Sequence, residues 1–244
     1  MSRYVFGKNS VKETLQLGIP KALKLYMKKG TKEAEEVSKV AASARVAIEI
    51  RDSAWFDKLA KGSTHQGLAL EMPDFDYAEI EDLLEKAPVN CLLVIADHIE
   101  DPRNLGALAR SVEASGGIGL VISADRNVQV TPLVEKTASG ALAHLPVARV
   151  VNISRALEQA KKAGFWCYGL AGEGKKSIFD MKLDGKICLV LGGEGSGIRD
   201  GVRKHCDDLL RIPMPGKVES LNVAVAGAVA CYEVLRQNKF AAKK

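Results

Sequence analysis

Three polar, glycine-rich segments each follow an apolar run of the kind that forms a buried strand. They are residues 97–106, 192–197 and 213–222. Ligands of open α/β sheets bind beyond the carboxyl ends of the strands, so a binding or catalytic site is expected in these segments. Any one of them alone could be an ordinary tight turn, whereas three at the strand ends of one sheet favour a site. The polar side chains of these segments, and of the helix that follows the first, are Asn104, Arg110, Glu194, Ser220 and Asn222.

The glycine spacing does not fit three well-known kinds of site. A dinucleotide fold needs G-x-G-x-x-G after its first strand, but residues 192–197 come late and Ile198 stands where the third glycine is required. Residues 169–175 match the phosphate-binding pattern G-x-x-x-x-G-K, but Lys176 replaces the Ser or Thr that would hold magnesium. Residues 195–197 lack the G-x-S-x-G spacing of a serine nucleophile. The sequence therefore disfavours a dehydrogenase, an NTPase and a serine hydrolase.

The composition is that of an ordinary folded protein without a recognisable metal motif. The chain has 244 residues, of which 47% are hydrophobic and 27% charged. Its five cysteines contain no C-x-x-C pair and its four histidines no H-x-x-x-H spacing, so we expect neither a disulfide framework nor a metal site. The first residues lack the apolar core of a secretory signal, and no run of 18 apolar residues occurs. We therefore expect a cytoplasmic protein without a membrane segment.

The net charge of +5 is distributed unevenly along the chain. Residues 1–72 carry 13 Lys and Arg against 8 acids, residues 73–90 carry 1 against 6, and residues 91–244 carry 21 against 16. This predicts a small N-terminal domain at 1–72, an acidic linker at 73–90 and a larger domain at 91–244. A basic small domain suits contacts with the phosphates of a nucleic acid, although solvated helix faces have the same composition.

Strand-like and helix-like patterns alternate through the larger domain. Its strand-like runs are apolar on both faces, which predicts an α/β fold with a doubly wound parallel sheet covered by helices on each side. The predicted strands are 91–96, 119–123, 147–151, 165–170, 187–191 and 209–212, and the predicted helices are 105–115, 132–142, 154–163, 199–205 and 221–237. Before it we predict helices at 10–17, 32–43, 53–59 and 77–86, and strands at 23–27, 46–51 and 67–71.

The three polar segments together resemble the motifs of the SpoU, or TrmH-like, branch of the SPOUT RNA methyltransferases. Asn104 followed six residues later by Arg110 is similar to the first motif of that family, and residues 192–197 are similar to the second. Residues 212–223, which read IPMPGKVESLNV, are similar to the third. The resemblance implies transfer of a methyl group from S-adenosylmethionine to a ribose 2′-hydroxyl, with no metal required.

The front of the chain resembles the small substrate-binding domain of one subgroup of that family. Residues 4–7 with Val11 and Leu15, and then residues 64–67, are similar to a domain related in fold to ribosomal protein L30e. That subgroup methylates a guanosine in the peptidyl-transferase region of 23S ribosomal RNA, which is then the implied partner. Two alternatives stay open, namely ribose methylation of tRNA by the same family and an RNA-binding protein without catalysis.

The resemblance also implies a C-terminal trefoil knot and a homodimer. In the knot, the chain from about Leu191 onward would pass through an earlier loop, a rare topology that a strand pattern does not reveal. The last helix carries a face of small and apolar residues suited to close packing between copies, although an ordinary buried helix has the same face. That face is Val223, Ala226, Gly227, Ala230 and Val234.

The motif match implies roles for the polar side chains. Arg110 would activate the hydroxyl or hold a phosphate, Glu194 could fix Arg110 by a bidentate pair, and Asn104 could orient the loop or the hydroxyl. Ser220 and Asn222 could touch substrate while capping the last helix, or could act as caps alone, and Glu194 could merely stabilise its loop. The residues expected to bind the cofactor are Gly192, Gly193, Ile212, Met214 and Leu221.

Overall fold

The computed structural model describes residues 3–16, 22–30, 32–60 and 65–238, without the side chains of Arg3, Ser10, Glu13, Lys32 and Glu33. Leu17, the predicted end of the first helix, and Thr64, part of the N-terminal resemblance, lie outside these ranges. The chain divides into two compact units, Met1–Asp76 and Tyr77–Lys244. Each unit has a hydrophobic core of its own.

The first unit is a four-stranded sheet with helices on both faces. Its strands lie in the order β1-β4-β2-β3, with β2 and β3 parallel and the other pairs antiparallel. Val11 and Val37 from two helices pack against Leu70 on one face, and Phe56 packs against Tyr26 on the other. The elements are β1 (Arg3–Phe6), α1 (Lys8–Gln16), β2 (Lys24–Lys28), α2 (Lys32–Ser43), β3 (Ala47–Arg51), α3 (Ser53–Ala60) and β4 (Leu68–Met72).

Residues 77–90 belong to the second unit, which differs from the acidic linker expected at 73–90. Ile80, Leu83 and Leu84 of the helix α4 (Ile80–Glu85) are buried in the core of that unit. The backbone N–H of Ala78 donates to the carbonyl of Val147 at 2.9 Å. The acidic residues of this helix, Glu81, Asp82 and Glu85, all lie on its exposed side, and an amphipathic helix of this kind has the charge pattern of a linker.

The second unit is built on a seven-stranded sheet in which every described strand pair is parallel. The strand order is β7-β6-β5-β10-β8-β11-β9, so the two longest strands, β5 and β10, lie side by side near the centre of the sheet. Helices α4 and α7 pack on one face of the sheet, and α9 packs with α5 on the other. The strands are β5 (Cys91–Asp97), β6 (Gly119–Ser123), β7 (Val147–Val150), β8 (Trp166–Leu170), β9 (Lys176–Ser177), β10 (Lys186–Gly192) and β11 (Asp208–Arg211). The helices after α4 are α5 (Pro102–Ala114), α6 (Pro132–Ala138), α7 (Ile153–Lys162), α8 (Asp200–Arg203) and α9 (Val223–Asn238).

The small-residue face of α9 is used inside the unit rather than left open for a second copy. Ala230 and Val234 are fully buried, and a Cβ added to Gly227 would lie 2.5 Å from a side-chain methyl of Leu108. The outward side of α9 instead carries Val225 and Tyr232, which are 49% and 51% exposed. Within the described ranges, no helix has the length and hydropathy needed to span a bilayer.

Candidate functional site

A cleft of about 500 Å³ lies beyond the carboxyl ends of β8, β10 and β11. Its walls come from two of the predicted segments, residues 192–197 and 213–222, and also from residues 170–173 and Arg203. This volume is in the range of small-molecule binding sites, and its position is the one that open parallel sheets use for ligands.

All five residues predicted to bind a cofactor line this cleft, although the structure explains two of them differently. A Cβ added to Gly192 would lie 2.1 Å from the backbone carbon of Gly197, and one added to Gly193 would lie 2.1 Å from the carbonyl oxygen of His98. These two glycines are therefore required because other parts of the backbone pack against them. The remaining members of the set line the cleft with side chains, and they are Ile212, Met214 and Leu221.

Hydrogen bonds join one residue from each of the three predicted segments at the edge of the cleft. The side-chain amide of Asn104, in the first turn of α5, donates from Nδ2 to Oε1 of Glu194. The Nδ2 of Asn222 donates to the Oδ1 of Asn104 at 3.0 Å. Glu194 and Asn222 line the cleft, whereas Asn104 is not part of its lining. We call this chain of contacts, Glu194–Asn104–Asn222, the amide relay.

Asn222 also caps the helix that follows it. Its Oδ1 accepts hydrogen bonds from the backbone N–H groups of Ala224, at 3.0 Å, and Val225, at 3.3 Å. Ser220 lines the cleft but lies two residues before the cap position, and its hydroxyl makes no hydrogen bond with any described residue. The expected capping role therefore belongs to Asn222 and not to Ser220.

Arg110 lies on the solvent side of α5, outside the cleft. Six residues along a helix correspond to a rotation that leaves Arg110 about 120° from Asn104 around the helix axis. The expected pair between Glu194 and Arg110 does not form, because the carboxylate of Glu194 contacts Asn104 instead. The guanidinium of Arg110 is exposed and makes no ion pair within the described part of the chain. It is therefore free to meet an anionic partner from solution.

The loop after β8 resembles a phosphate-binding motif in sequence but lacks the Ser or Thr of that motif. In the structure this loop is a turn between β8 and β9. Lys176, the first residue of β9, forms a 2.8 Å ion pair with Asp208 and lowers the pKa of that carboxyl. A Cβ on Gly174 would meet the carbonyl oxygen of Leu209 at 2.7 Å, so this glycine too serves backbone packing. The first residues of the turn nevertheless line the cleft. Their position directly after a strand is the feature of the sequence from which this could have been predicted.

The chemistry of the lining is apolar with an excess of carboxylates. Three acids border the cleft, Glu173, Glu194 and Glu219, against the one guanidinium of Arg203, which pairs with Glu173. Such a lining suits a ligand that carries positive charge beside an apolar or aromatic group. No cluster of three or more His, Cys, Asp and Glu placed to hold a metal is found among the described residues. The larger apolar side chains of the lining include Leu170, Leu191, Leu210, Ile212, Met214 and Leu221.

Comparison with known proteins gives two family matches and close relatives along the whole chain. Residues 91–232 match the SpoU rRNA Methylase family, and residues 4–78 match the family described as RNA 2'-O ribose methyltransferase substrate binding. The chain is 37% identical over 241 residues to the 23S rRNA (guanosine-2'-O-)-methyltransferase RlmB of Xylella fastidiosa, covering 97% of both proteins. It is 40% identical over 243 residues to an uncharacterized tRNA/rRNA methyltransferase of Mycolicibacterium vanbaalenii, covering 97% of this chain and 77% of the relative.

Solved structures of lower identity share the fold. The SpoU methyltransferase AviRb from Streptomyces viridochromogenes, in complex with AdoMet, aligns with a TM-score of 0.65 at 23% identity, over 97% of this chain and 90% of that one. An AdoMet-bound rRNA methyltransferase from Sinorhizobium meliloti aligns with a TM-score of 0.64 at 20% identity, over 96% and 87%. The predicted α/β fold, with a parallel-sheet domain like those of SPOUT methyltransferases, is thereby confirmed.

Proposed function

The chain belongs to the SpoU rRNA methylase family, and from that premise we propose that it transfers a methyl group from S-adenosylmethionine to a ribose 2′-hydroxyl of ribosomal RNA. The observation that carries the proposal is the amide relay. It brings a residue from each of the three family-like segments to one point beside the cleft. A protein that only bound RNA would have no use for this convergence next to a small-molecule pocket.

The residues of the cleft fit S-adenosylmethionine. The apolar side chains of Ile212, Met214 and Leu221 would hold the adenine ring, and the backbone of Gly192 and Gly193 would form a further part of the wall around the cofactor. The surplus of carboxylates suits a ligand with a sulfonium and an ammonium group. When bound, this cofactor supplies a methyl group that is already activated by its positively charged sulfur.

The protein's own residues then have to position and activate the ribose. A ribose hydroxyl is a weak nucleophile until its proton is drawn away, so orientation and removal of the proton are the chemical tasks. The guanidinium of Arg110 offers a planar set of N–H donors that suits a phosphate or the developing 2′-oxyanion. Asn104, held from both sides by hydrogen bonds, keeps Glu194 and the start of α9 at fixed positions relative to α5. We assign Ser220 a contact with substrate, since it lines the cleft and its hydroxyl has no hydrogen-bond partner among the described residues.

We further propose a guanosine in the peptidyl-transferase region of 23S ribosomal RNA as the target. The support is the full-length similarity to a 23S rRNA guanosine methyltransferase and the match of the first unit to a substrate-binding family. That unit presents exposed Lys29, Lys39 and Lys58 to the surroundings, as an RNA-binding domain requires. An rRNA substrate also supports the cytoplasm as the place of action.

A homodimer and a trefoil knot complete the proposal. The outward side of α9 carries the half-exposed Val225 and Tyr232 one above the other, seven residues apart, and such an apolar stripe is suited to a second copy. After β11 the chain returns from near the sheet edge to the centre, where α9 contacts β5 and β10. A return of this kind supports passage of the chain through an earlier loop.

The test of the proposed function is methyl transfer from labelled S-adenosylmethionine to purified RNA. Ribosomal RNA from a strain lacking the protein should accept label, whereas tRNA from the same strain should not. Label in tRNA alone would favour the tRNA alternative, and label in neither RNA, in spite of cofactor binding, would contradict methylation of these RNAs.

Arg110→Ala is the sharpest variant for this assay. It should abolish transfer and leave the affinity for S-adenosylmethionine within about 2-fold of wild type, because the side chain lies outside the cleft. Arg155→Ala is the matched control, since Arg155 is also an exposed helical arginine, on α7. Loss of cofactor binding in the Arg110 variant would overturn its placement at the ribose.

A further inference from the structure

A fully buried carboxylate lies directly beneath the cleft, and the proposed function gives it no role so far. Asp97 is the last residue of β5 and has no exposed surface. Its neighbour across the sheet is Gly192, the last residue of β10, so Asp97 sits where both of the first two polar segments begin. Burying a charge without compensating contacts is strongly unfavourable. The groups that contact Asp97 therefore indicate its role.

Hydrogen bonds and an ion pair satisfy the carboxylate of Asp97, and most of these contacts come from Arg199. The backbone N–H of Arg199 donates to Oδ2 at 3.0 Å and its Nε donates to Oδ1 at 2.8 Å, while its Nη2 forms an ion pair with Oδ1 at 2.7 Å. The Nδ1 of His98 lies 3.0 Å from the same Oδ1. Arg199 follows the second polar segment by two residues and directly precedes α8. Asp97 thus holds the far end of the loop that contains Glu194.

The other end of the same loop, at Gly193, contacts the backbone of His98, the residue after Asp97. His98 has a positive φ of 64°, which is unfavourable for a residue with a side chain. A Cβ added to Gly193 would lie only 2.1 Å from the carbonyl oxygen of His98. The backbone of residues 193–197 is closed by a 3.0 Å hydrogen bond from the N–H of Gly197 to the carbonyl of Gly193. The loop is therefore clamped at both ends onto Asp97 and His98.

We propose that Asp97 is a positioning residue for the cofactor cleft, acting through Arg199 to hold residues 193–199 in the conformation that binds S-adenosylmethionine and keeps Glu194 against Asn104. The inference rests on the proposed function, because it assigns Asp97 to the same site. Asp97 touches neither cofactor nor RNA. Its contribution is that the loop is already formed before the cofactor arrives, so binding does not have to order it.

Asp97→Asn tests the inference with little change of volume. The amide places an NH₂ group against either the backbone N–H or the guanidinium of Arg199, and two donors then face each other. The expected result is a Kd for S-adenosylmethionine raised at least about 10-fold by calorimetry, with an equal rise in KM for the cofactor. KM for RNA should stay within about 2-fold of wild type.

Asp207→Asn is the matched control for general destabilisation. The Oδ2 of Asp207 accepts a 2.7 Å hydrogen bond from the N–H of Cys167, and its Oδ1 pairs with Lys161 at 2.8 Å. Cys167 lies near the start of β8, at the end of the strand opposite to the cleft. This variant should lower the melting temperature but leave the Kd for S-adenosylmethionine within about 2-fold of wild type. If both variants lose stability equally and neither loses cofactor affinity, Asp97 is only structural and the inference is overturned.

A double variant keeps the inference testable even if Asp97→Asn alone does not fold. In Asp97→Asn with Arg199→Met, the amide oxygen can still accept from the backbone N–H of residue 199, and no guanidinium opposes the NH₂ group. This protein should fold and recover at least about 3-fold in cofactor affinity over the single variant, or bind the cofactor if the single variant is unfolded. A double variant that fails to do so contradicts the role of the pair. Absence of binding by the wild type would instead refute the proposed function.

Discussion

Asn222 has two roles in the structure, and two substitutions separate them. Its Oδ1 caps α9 and its Nδ2 belongs to the amide relay. Asn222→Ala removes both interactions. Asn222→Asp keeps an acceptor for the helix N–H groups, and its charge is favourable at a helix N-terminus, but it replaces the donor toward Asn104 by an acceptor.

The contacts give the size of each effect. Loss of an N-cap lowers the free energy of unfolding by about 1 kcal/mol, and loss of one exposed amide hydrogen bond adds about 0.5 kcal/mol. For a unit of this size, a total of about 1.5 kcal/mol lowers the melting temperature by about 3–6 °C. Asn222→Asp should melt within about 2 °C of wild type. The Oδ1 of Asn104 would then face a carboxylate, and a shift of the relay by about 1 Å can reduce the rate of methyl transfer about 100-fold.

The assay compares thermal melting with methyl transfer at a temperature where all three proteins are folded. We expect the alanine variant to lose both stability and rate, and the aspartate variant to lose rate by about 10-fold to 100-fold at nearly wild-type stability. A fully active aspartate variant would show that Asn222 is a helix cap only. In that case the relay has no part in positioning the reacting groups.

Two other predictions concern the units and the glycines. A protein lacking residues 1–76 should bind S-adenosylmethionine with a Kd within about 2-fold of wild type, because the second unit supplies the whole lining of the cleft. In a filter-binding assay it should bind ribosomal RNA at least about 10-fold more weakly. Unchanged RNA affinity would contradict a role of the first unit in RNA binding. Gly193→Ala should weaken cofactor binding at least about 10-fold by calorimetry, because its Cβ would collide with the carbonyl of His98. Gly216→Ala is the control and should bind the cofactor normally, since no atom lies within 4 Å of the position of its Cβ. Equal cofactor affinities of the two variants would contradict the contact between the loop and His98.

Elements that bury both faces or one clear stripe could be predicted from the sequence. The strands predicted at 91–96 and 187–191 correspond to β5 and β10, which are longer by one and two residues. A continuous apolar run is typical of a strand that is buried on both faces of a parallel sheet. β1 and β9 were missed, because their pairing with β4 and β11 depends on residues far along the chain. The predicted helix at 132–142 ends at Ala138, because Ser139 and Gly140 both adopt positive φ and a short 3₁₀ turn follows.

The meeting of the three polar segments at one edge of the sheet was predictable, but the contacts between their side chains were not. Segments after strands must meet at one edge of a parallel sheet, which was sufficient to bring Asn104, Glu194 and Asn222 together. Which of them touch depends on the rotation of α5, and that rotation turns Arg110 away from Glu194. Asp97 carried no signal, because a single acid after a strand does not reveal a partner 102 positions later.

The most direct measurement of the central claim is a map of ribose methylation in 23S ribosomal RNA from a strain without this protein, complemented with the wild type or with Arg110→Ala. We predict one 2′-O-methylated guanosine in the peptidyl-transferase region that is absent from the deletion strain, restored by the wild type and not restored by the variant. A map that is identical in all these strains would contradict the claim that this chain methylates ribosomal RNA.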